Sequence, residues 1–111
     1  MTVTVKVLIP AKLAENTQTT QYVATNCKAI IDKFTATNNS GSVASLSVNL
    51  VTSAGAPESG NIITNTRRIA SGETYTFPEL VGHSLEAGEF ISTIASAASA
   101  LTIRASGREI T

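Results

Sequence analysis

The sequence predicts an all-β protein, an antiparallel β-sandwich of about eight strands, jelly-roll-like and without a substantial helix. Three observations carry that expectation. Short runs alternate apolar and polar residues with a period of two, the mark of a strand with one face buried and one wet. Turn residues punctuate the 111-residue chain at intervals of about ten to twelve residues. The two stretches with helical character are poor helices. Ala11–Thr17 is too short to hold alone, and Glu89–Ala100, though rich in alanine, carries Ser, Thr and β-branched Ile that favour strands and turns. A seven-stranded immunoglobulin-like sandwich fits the same pattern.

The first strand spans Thr2–Ile9, with Val3, Val5 and Val7 on one parity and Thr2, Thr4 and Lys6 on the other. Pro10 is expected to end it, because proline cannot donate to a ladder, and Ala11–Thr17 reads as a connecting loop. A second strand spans Thr19–Thr25, with Tyr22 and Ala24 inward. Lys28–Val51 then reads as a hairpin. Ile30, Phe34 and Ala36 share one parity, with Asp32 as the exception. Beyond the polar turn Asn38-Asn39-Ser40-Gly41, Ala44, Leu46, Val48 and Leu50 alternate with Ser45, Ser47 and Asn49. The turn residues tolerate positive φ or bond to their own backbone.

Thr52–Gly60, TSAGAPESG, reads as an exposed loop long enough to serve as an arm. Asn61–Ile69 is the next strand, and Ala70-Ser71-Gly72-Glu73 a turn. Thr74–Phe77 is a short strand closed by Pro78. Phe90–Ala95 and Ala100–Ser106 are the last two strands, and the polar residues Gly107–Thr111 are expected to stay exposed as a tail. Nothing divides the chain, so residues 1–111 are expected to form one domain.

Composition narrows the function. A chain of this length should bury roughly two thirds of its unfolded surface, so it can fold without staples. Aromatic residues are 5% of the chain and tryptophan is absent. The core must therefore come from Ile, Val, Leu and Ala, with Phe34, Phe77, Phe90, Tyr22 and Tyr75 as the large pieces. Charged residues are 14% of the chain, eight basic against eight acidic, well below the usual quarter. A net charge of zero argues against nucleic acid as a partner, since phosphate binding needs a basic face. Weak charge with a hydroxyl-rich surface gives little colloidal repulsion and points to life in an assembly. The single Cys27 excludes an intrachain disulfide. The first residues, MTVTVKVLIPAKL, have neither the basic nor the apolar region of a leader. No run approaches the roughly eighteen apolar residues that cross a membrane. Synthesis in a cytoplasm without membrane insertion is the expectation.

Residues that could carry chemistry are few. His83 is the only imidazole, and with Glu79 and Glu86 it falls short of the three or four supported ligands a metal needs. Ser84 has no flanking glycines of a nucleophile elbow. Glu86 and Glu89 lie on a turn, and no tryptophan is present to stack a sugar ring. No glycine loop is built to cradle phosphate. The expectation is a protein that is not an enzyme, without cofactor, metal or small-molecule substrate. Arg67-Arg68 is the one local basic cluster. Neighbouring strand residues face opposite ways, so at most one of the two joins the core side. The other is either solvated or free to meet a partner's carboxylate in a two-pronged contact.

Three stretches carry a resemblance: KAIIDKFTATN from Lys28, IASGETYTFPELVG from Ile69, and AASALTIRASGREI from Ala97. They resemble the capsid decoration (staple or cement) proteins of short-tailed bacteriophages, over most of the chain from Thr19 onward. The resemblance implies a jelly roll on the outside of a phage head. It would be a homodimer that bridges neighbouring major capsid proteins and stabilises the shell against the pressure of packaged DNA. It would be made in the bacterial host and located in the virion. Similar small sandwiches occur among tail-associated proteins, so a tail or host-receptor-binding module is the alternative. A carbohydrate-binding sandwich would need aromatic platforms that this chain scarcely has.

Edge strands and mobile arms can add to a partner's sheet. The expected protein-interface residues are therefore Thr2, Val3, Thr4, Val5 and Lys6 on the first strand, Pro57 and Glu58 in the loop, Arg67 and Arg68, and Arg108 in the tail. Removing residues 1–9 is expected to abolish capsid binding and leave a folded core. Pairing of an edge strand across a two-fold axis would make the dimer.

Overall fold

The computed structural model describes residues 1–111. Nine strands run in the order β1 (Val3–Leu13), β2 (Thr19–Val23), β3 (Lys28–Asn38), β4 (Ala44–Val51), β5 (Ile62–Ile69), β6 (Thr74–Tyr75), β7 (Ser84–Leu85), β8 (Phe90–Ala95) and β9 (Leu101–Ile110). No α-helix is present; a single 3₁₀ turn at Ser59–Asn61 precedes β5. All pairings are antiparallel. One sheet has the order β1-β9-β3-β6, with the short β7 also on β3, and the other has the order β2-β8-β4-β5. With β7 set aside, this is the eight-stranded jelly roll, in which strands close in sequence are shared between two facing sheets. The fold class expected from the sequence is the one observed.

Between the sheets lies one apolar cluster of 23 buried residues. Its largest fully buried members are Phe34 and Phe77, whose rings meet edge to face at 5.1 Å, and most of the rest are aliphatic. Tyr22 and Ala24 are both buried, as their parity predicts. Tyr75 and Phe90 are only half-buried, so two of the five expected large core pieces lie at its margin.

Several elements differ from their expected form, each for a physical reason. Lys28–Val51 is not a hairpin: β3 pairs with β9, β6 and β7, whereas β4 pairs with β5 and β8. The segment after Asn38 is an arch between sheets. The buried Asn38 amide braces it, donating to Ser42 O and Ile69 O (both 2.8 Å) while its Oδ1 accepts from the Ser40 amide and hydroxyl. Two apolar strand faces joined by a polar turn can bury each other across a core as well as side by side, and here they face.

Bulges account for the broken parities. The β3–β9 register slips between Ile31 and Lys33, so Ala29 and Ile31 point inward before the slip and Phe34 and Ala36 after it. Ile30 therefore faces outward, contrary to the simple parity, and Asp32 is the extra residue. An extra residue on one strand is what a bulge is. Pro10 does not end β1. It lies where the β1–β9 register slips between Ile9 and Lys12, a position that requires no donor from it. The chain therefore pairs on to Leu13. An earlier slip lies between Val7 and Ile9, and Leu8 within it and Ile9 after it are both buried. Residues 1–9 are thus not a detachable arm, because they supply two core side chains.

The C-terminal residues are not a free tail either. β9 continues to Ile110 between β1 and β3, and Gly107 is buried there. A Cβ built on Gly107 would lie 1.9 Å from the Ile30 carbonyl oxygen. Only glycine lets the β3 backbone pass so close beside its bulge.

Candidate functional site

The two sheets present two lateral edges. On one side β1 closes the first sheet and packs beside β2 of the second. On the other side β5 lies against the short β6, with Arg67 stacked on Tyr75. The expected interface residues divide between these edges and one end of the sandwich.

Thr2–Lys6 lie at the start of β1, opposite the end of β9: Val3 faces Ile110, Val5 faces Arg108 and Val7 faces Ser106. Residues directly opposite in an antiparallel pair share a sheet face, and this one points away from the core. Val3, Val5 and Val7 are 51%, 84% and 41% exposed, an uncovered valine stripe on a terminal strand. Arg108 belongs to the same face, its guanidinium gripping the Asp32 carboxylate of β3 with two hydrogen bonds of 3.0 and 2.9 Å. The Arg108 guanidinium holds the Asp32 carboxyl below the usual carboxylate range, and Asp32 raises Arg108 in turn. Arg108 therefore has its forked contact within the chain. Lys6, on the opposite face, lies 3.8 Å from Glu109.

Pro57 and Glu58 belong to an exposed loop, but the loop is braced. Asn49 of β4 donates to Glu58 O at 3.0 Å and to Asn61 Oδ1 at 2.7 Å. Asn61 in turn accepts from the Glu58 amide and donates to Ala56 O. Contacts at this end run from Ile110 through Lys28, which lies 3.6 Å from Glu86, to Gly88 beside Ser53. The start of β1 and the 52–60 loop thus share one end of the sandwich.

Arg67 and Arg68 sit apart from them on β5. Arg68 is opposite Ser45 and Arg67 opposite Leu46, so the pair straddles the edge strand as the alternation requires. The Arg67 guanidinium lies 3.9 Å from the centre of the Tyr75 ring. The Tyr75 hydroxyl donates to Glu79 Oε1 at 3.0 Å, and the Thr64 hydroxyl donates to Glu79 Oε2 at 2.8 Å. Burial raises the Glu79 pKa, but its own backbone amide, the two hydroxyls and Arg67 outweigh it, so the carboxyl stays below its ordinary value. Thr64, Thr66, Arg67, Arg68 and Glu79 line an open groove of about 540 Å³ along β5.

Two features escaped the sequence reading. One is the buried end of Tyr22, whose hydroxyl donates to Glu109 at 2.5 Å and lies 3.9 Å from the Cys27 sulfur. Burial first, then Glu109, raises the Tyr22 pKa. Its partner is 87 residues away in sequence, which no local pattern reveals. The other is Thr66, with φ at +54°. A β-branched residue in that region is strained, and it marks the slip between Leu46 and Val48 in the β4–β5 pairing.

His83 is exposed, and no group of three or more His, Cys, Asp or Glu side chains is placed to hold a metal ion. Comparison with protein-family models, curated proteins and solved structures finds no match.

Proposed function

We propose that this chain is a structural, non-enzymatic virion protein. In this reading it binds the outside of an assembled phage capsid as a homodimer and clamps neighbouring capsid subunits. The observation that carries the reading is the start of β1. Natural sandwiches blunt an exposed edge with charge, proline, bulges or a covering loop. Here residues 3–7 have no proline and no bulge, their one charge, Lys6, is drawn towards Glu109, and they expose three valines. Such an edge is built to be covered.

A second copy covers it without conflict. Two β1 strands run antiparallel about a two-fold axis at Val5 would set Val3 opposite the other copy's Val7, and Thr4 opposite its Lys6. No like charges then meet across the pair. The jelly-roll order and the three stretches that resemble decoration proteins support the capsid as the setting. A dimer that grips two subunits gains roughly a hundredfold or more in effective affinity over one contact. Binding the assembled shell but not its separated subunits stabilises the shell by linkage.

The test is co-sedimentation of the purified protein with phage heads lacking it and, separately, with tails. Saturable binding to heads is the expected result. Binding to tails alone moves the tail-module reading to the front, and binding to neither overturns both.

A further inference from the structure

We propose that the β5 edge is the shell-binding site, with Arg67 as a preset anchor for a carboxylate on an extended acidic segment of a capsid subunit. The inference rests on the decoration reading and specifies its contact.

Arg67 is held in place without using its donors. Its guanidinium is stacked at 3.9 Å on Tyr75, and Tyr75 is itself packed edge to face on the buried Phe77 with ring centres 4.7 Å apart. Yet Arg67 donates no hydrogen bond and forms no ion pair within the chain, and neither does Arg68. Arg108 is the contrast, with its fork already filled by Asp32. A stacked guanidinium with five free N–H groups loses little further freedom on binding a carboxylate in the two-pronged geometry it favours.

The nearest acid does not fill that role. Both Glu79 oxygens accept hydroxyl hydrogen bonds, from Tyr75 and Thr64, so Glu79 fixes the platform beneath Arg67. Arg67 and Arg68 leave the groove with a surplus of positive charge, which suits an acidic occupant.

The strand beneath is also prepared. β5 is terminal in its sheet, so one side of its backbone is open to another strand. Thr66 is held at φ +54° with its amide donating to Ser47 Oγ at 2.8 Å. Strained backbone of this kind clusters at binding and catalytic sites. Thr66 separates the arginines from Thr64 and shifts their register along the edge.

The placement completes the device. β5 lies on the lateral side opposite β1, so a dimer joined through β1 would carry its two Arg67 anchors at its outer flanks. That is the arrangement a clamp across two subunits needs.

The test measures binding of four proteins to heads lacking the protein, at low and at moderate salt, with thermal melting as the check on folding. Arg67→Ala is expected to weaken binding about tenfold or more, the loss of a charge-assisted contact. Arg67→Lys keeps the charge but not the fork, and should fall between Arg67→Ala and the parent. Arg104→Ala removes an exposed cation from the other sheet and should bind like the parent. Parent-like binding by Arg67→Ala overturns the anchor while leaving the decoration reading intact. Equal losses in Arg67→Ala and Arg104→Ala reduce the effect to net charge and also overturn it. Failure of the parent itself to bind heads overturns the decoration reading, and the anchor falls with it.

Discussion

Tyr22 sends its ring into the core and its hydroxyl to Glu109, joining β2 of one sheet to β9 of the other. Tyr22→Phe keeps the ring and removes the donor from a carboxylate whose side chain is 21% exposed. The expected loss is about 1 kcal/mol, the usual net value of such a bond, read as a shift in the urea midpoint. An unchanged midpoint would mean that water replaces the hydroxyl. Carboxylates set the acid limit of the fold. Lys12 and Gln21 hold the Glu15 carboxyl low, and Glu79 is held low by its amide and hydroxyl partners against burial. A carboxyl whose folded pKa lies below its unfolded one adds stability above the unfolded value, 4.5 for these two. That stability disappears as pH falls through and below it. The melting temperature should therefore drop on acidification below about pH 4.5. Glu79→Gln should flatten that dependence, and an identical pH profile would rule Glu79 out as a contributor.

At the scale of the strand, bulges decide which residues face the core. Gly107 stands where β9 passes the β3 bulge, with no room for a Cβ beside Ile30 O. Gly107→Ala must push the two strands apart and should destabilise by about 3 kcal/mol or more, measured by chemical denaturation. A loss under about 1 kcal/mol would mean the bulge relaxes freely. Thr66 makes the opposite case. Asn tolerates φ near +54° better than a β-branched residue, so Thr66→Asn should raise stability by about 1 kcal/mol. If Thr66 is there for binding, the same variant gains stability without gaining affinity. The apolar parity of β4, which buries Ala44, Leu46 and Val48, was legible in the sequence; in β1 the alternating valines lie on the outward face, and in β3 and β5 the parity breaks. The bulges were not legible, since an extra residue looks like any other until its partner strand is in place. Asp32 was the visible trace of one, a charge on an otherwise apolar parity.

At the scale of the molecule, the sandwich is elongated, 46 × 27 × 20 Å, with a valine-lined edge at β1 and a cationic one at β5. Val5 is 84% exposed, so Val5→Asp should leave the monomer's stability within about 0.5 kcal/mol. On the proposed pairing it should convert the dimer to monomer in sedimentation equilibrium. A Val5→Asp protein that remains dimeric would move the two-fold contact away from β1. Truncation tests should remove residues 1–7 and keep Leu8 and Ile9, because loss of these buried side chains would unsettle the core and confuse binding with folding.

The sequence by itself determined the fold class, the approximate strand positions, the inward Tyr22 and Ala24, and the edge-straddling alternation of Arg67 and Arg68. All of these follow from a period of two and from local turn chemistry, which act over a few residues. Only the tertiary structure decided that Lys28–Val51 arches between sheets, that β9 runs on to Ile110, that Pro10 sits inside β1, and that Arg108 is paired while Arg67 is stacked. Each of these depends on partners far along the chain, such as Asp32 with Arg108 or Tyr22 with Glu109. Alternation states that a strand has an apolar face, and packing alone chooses what that face meets.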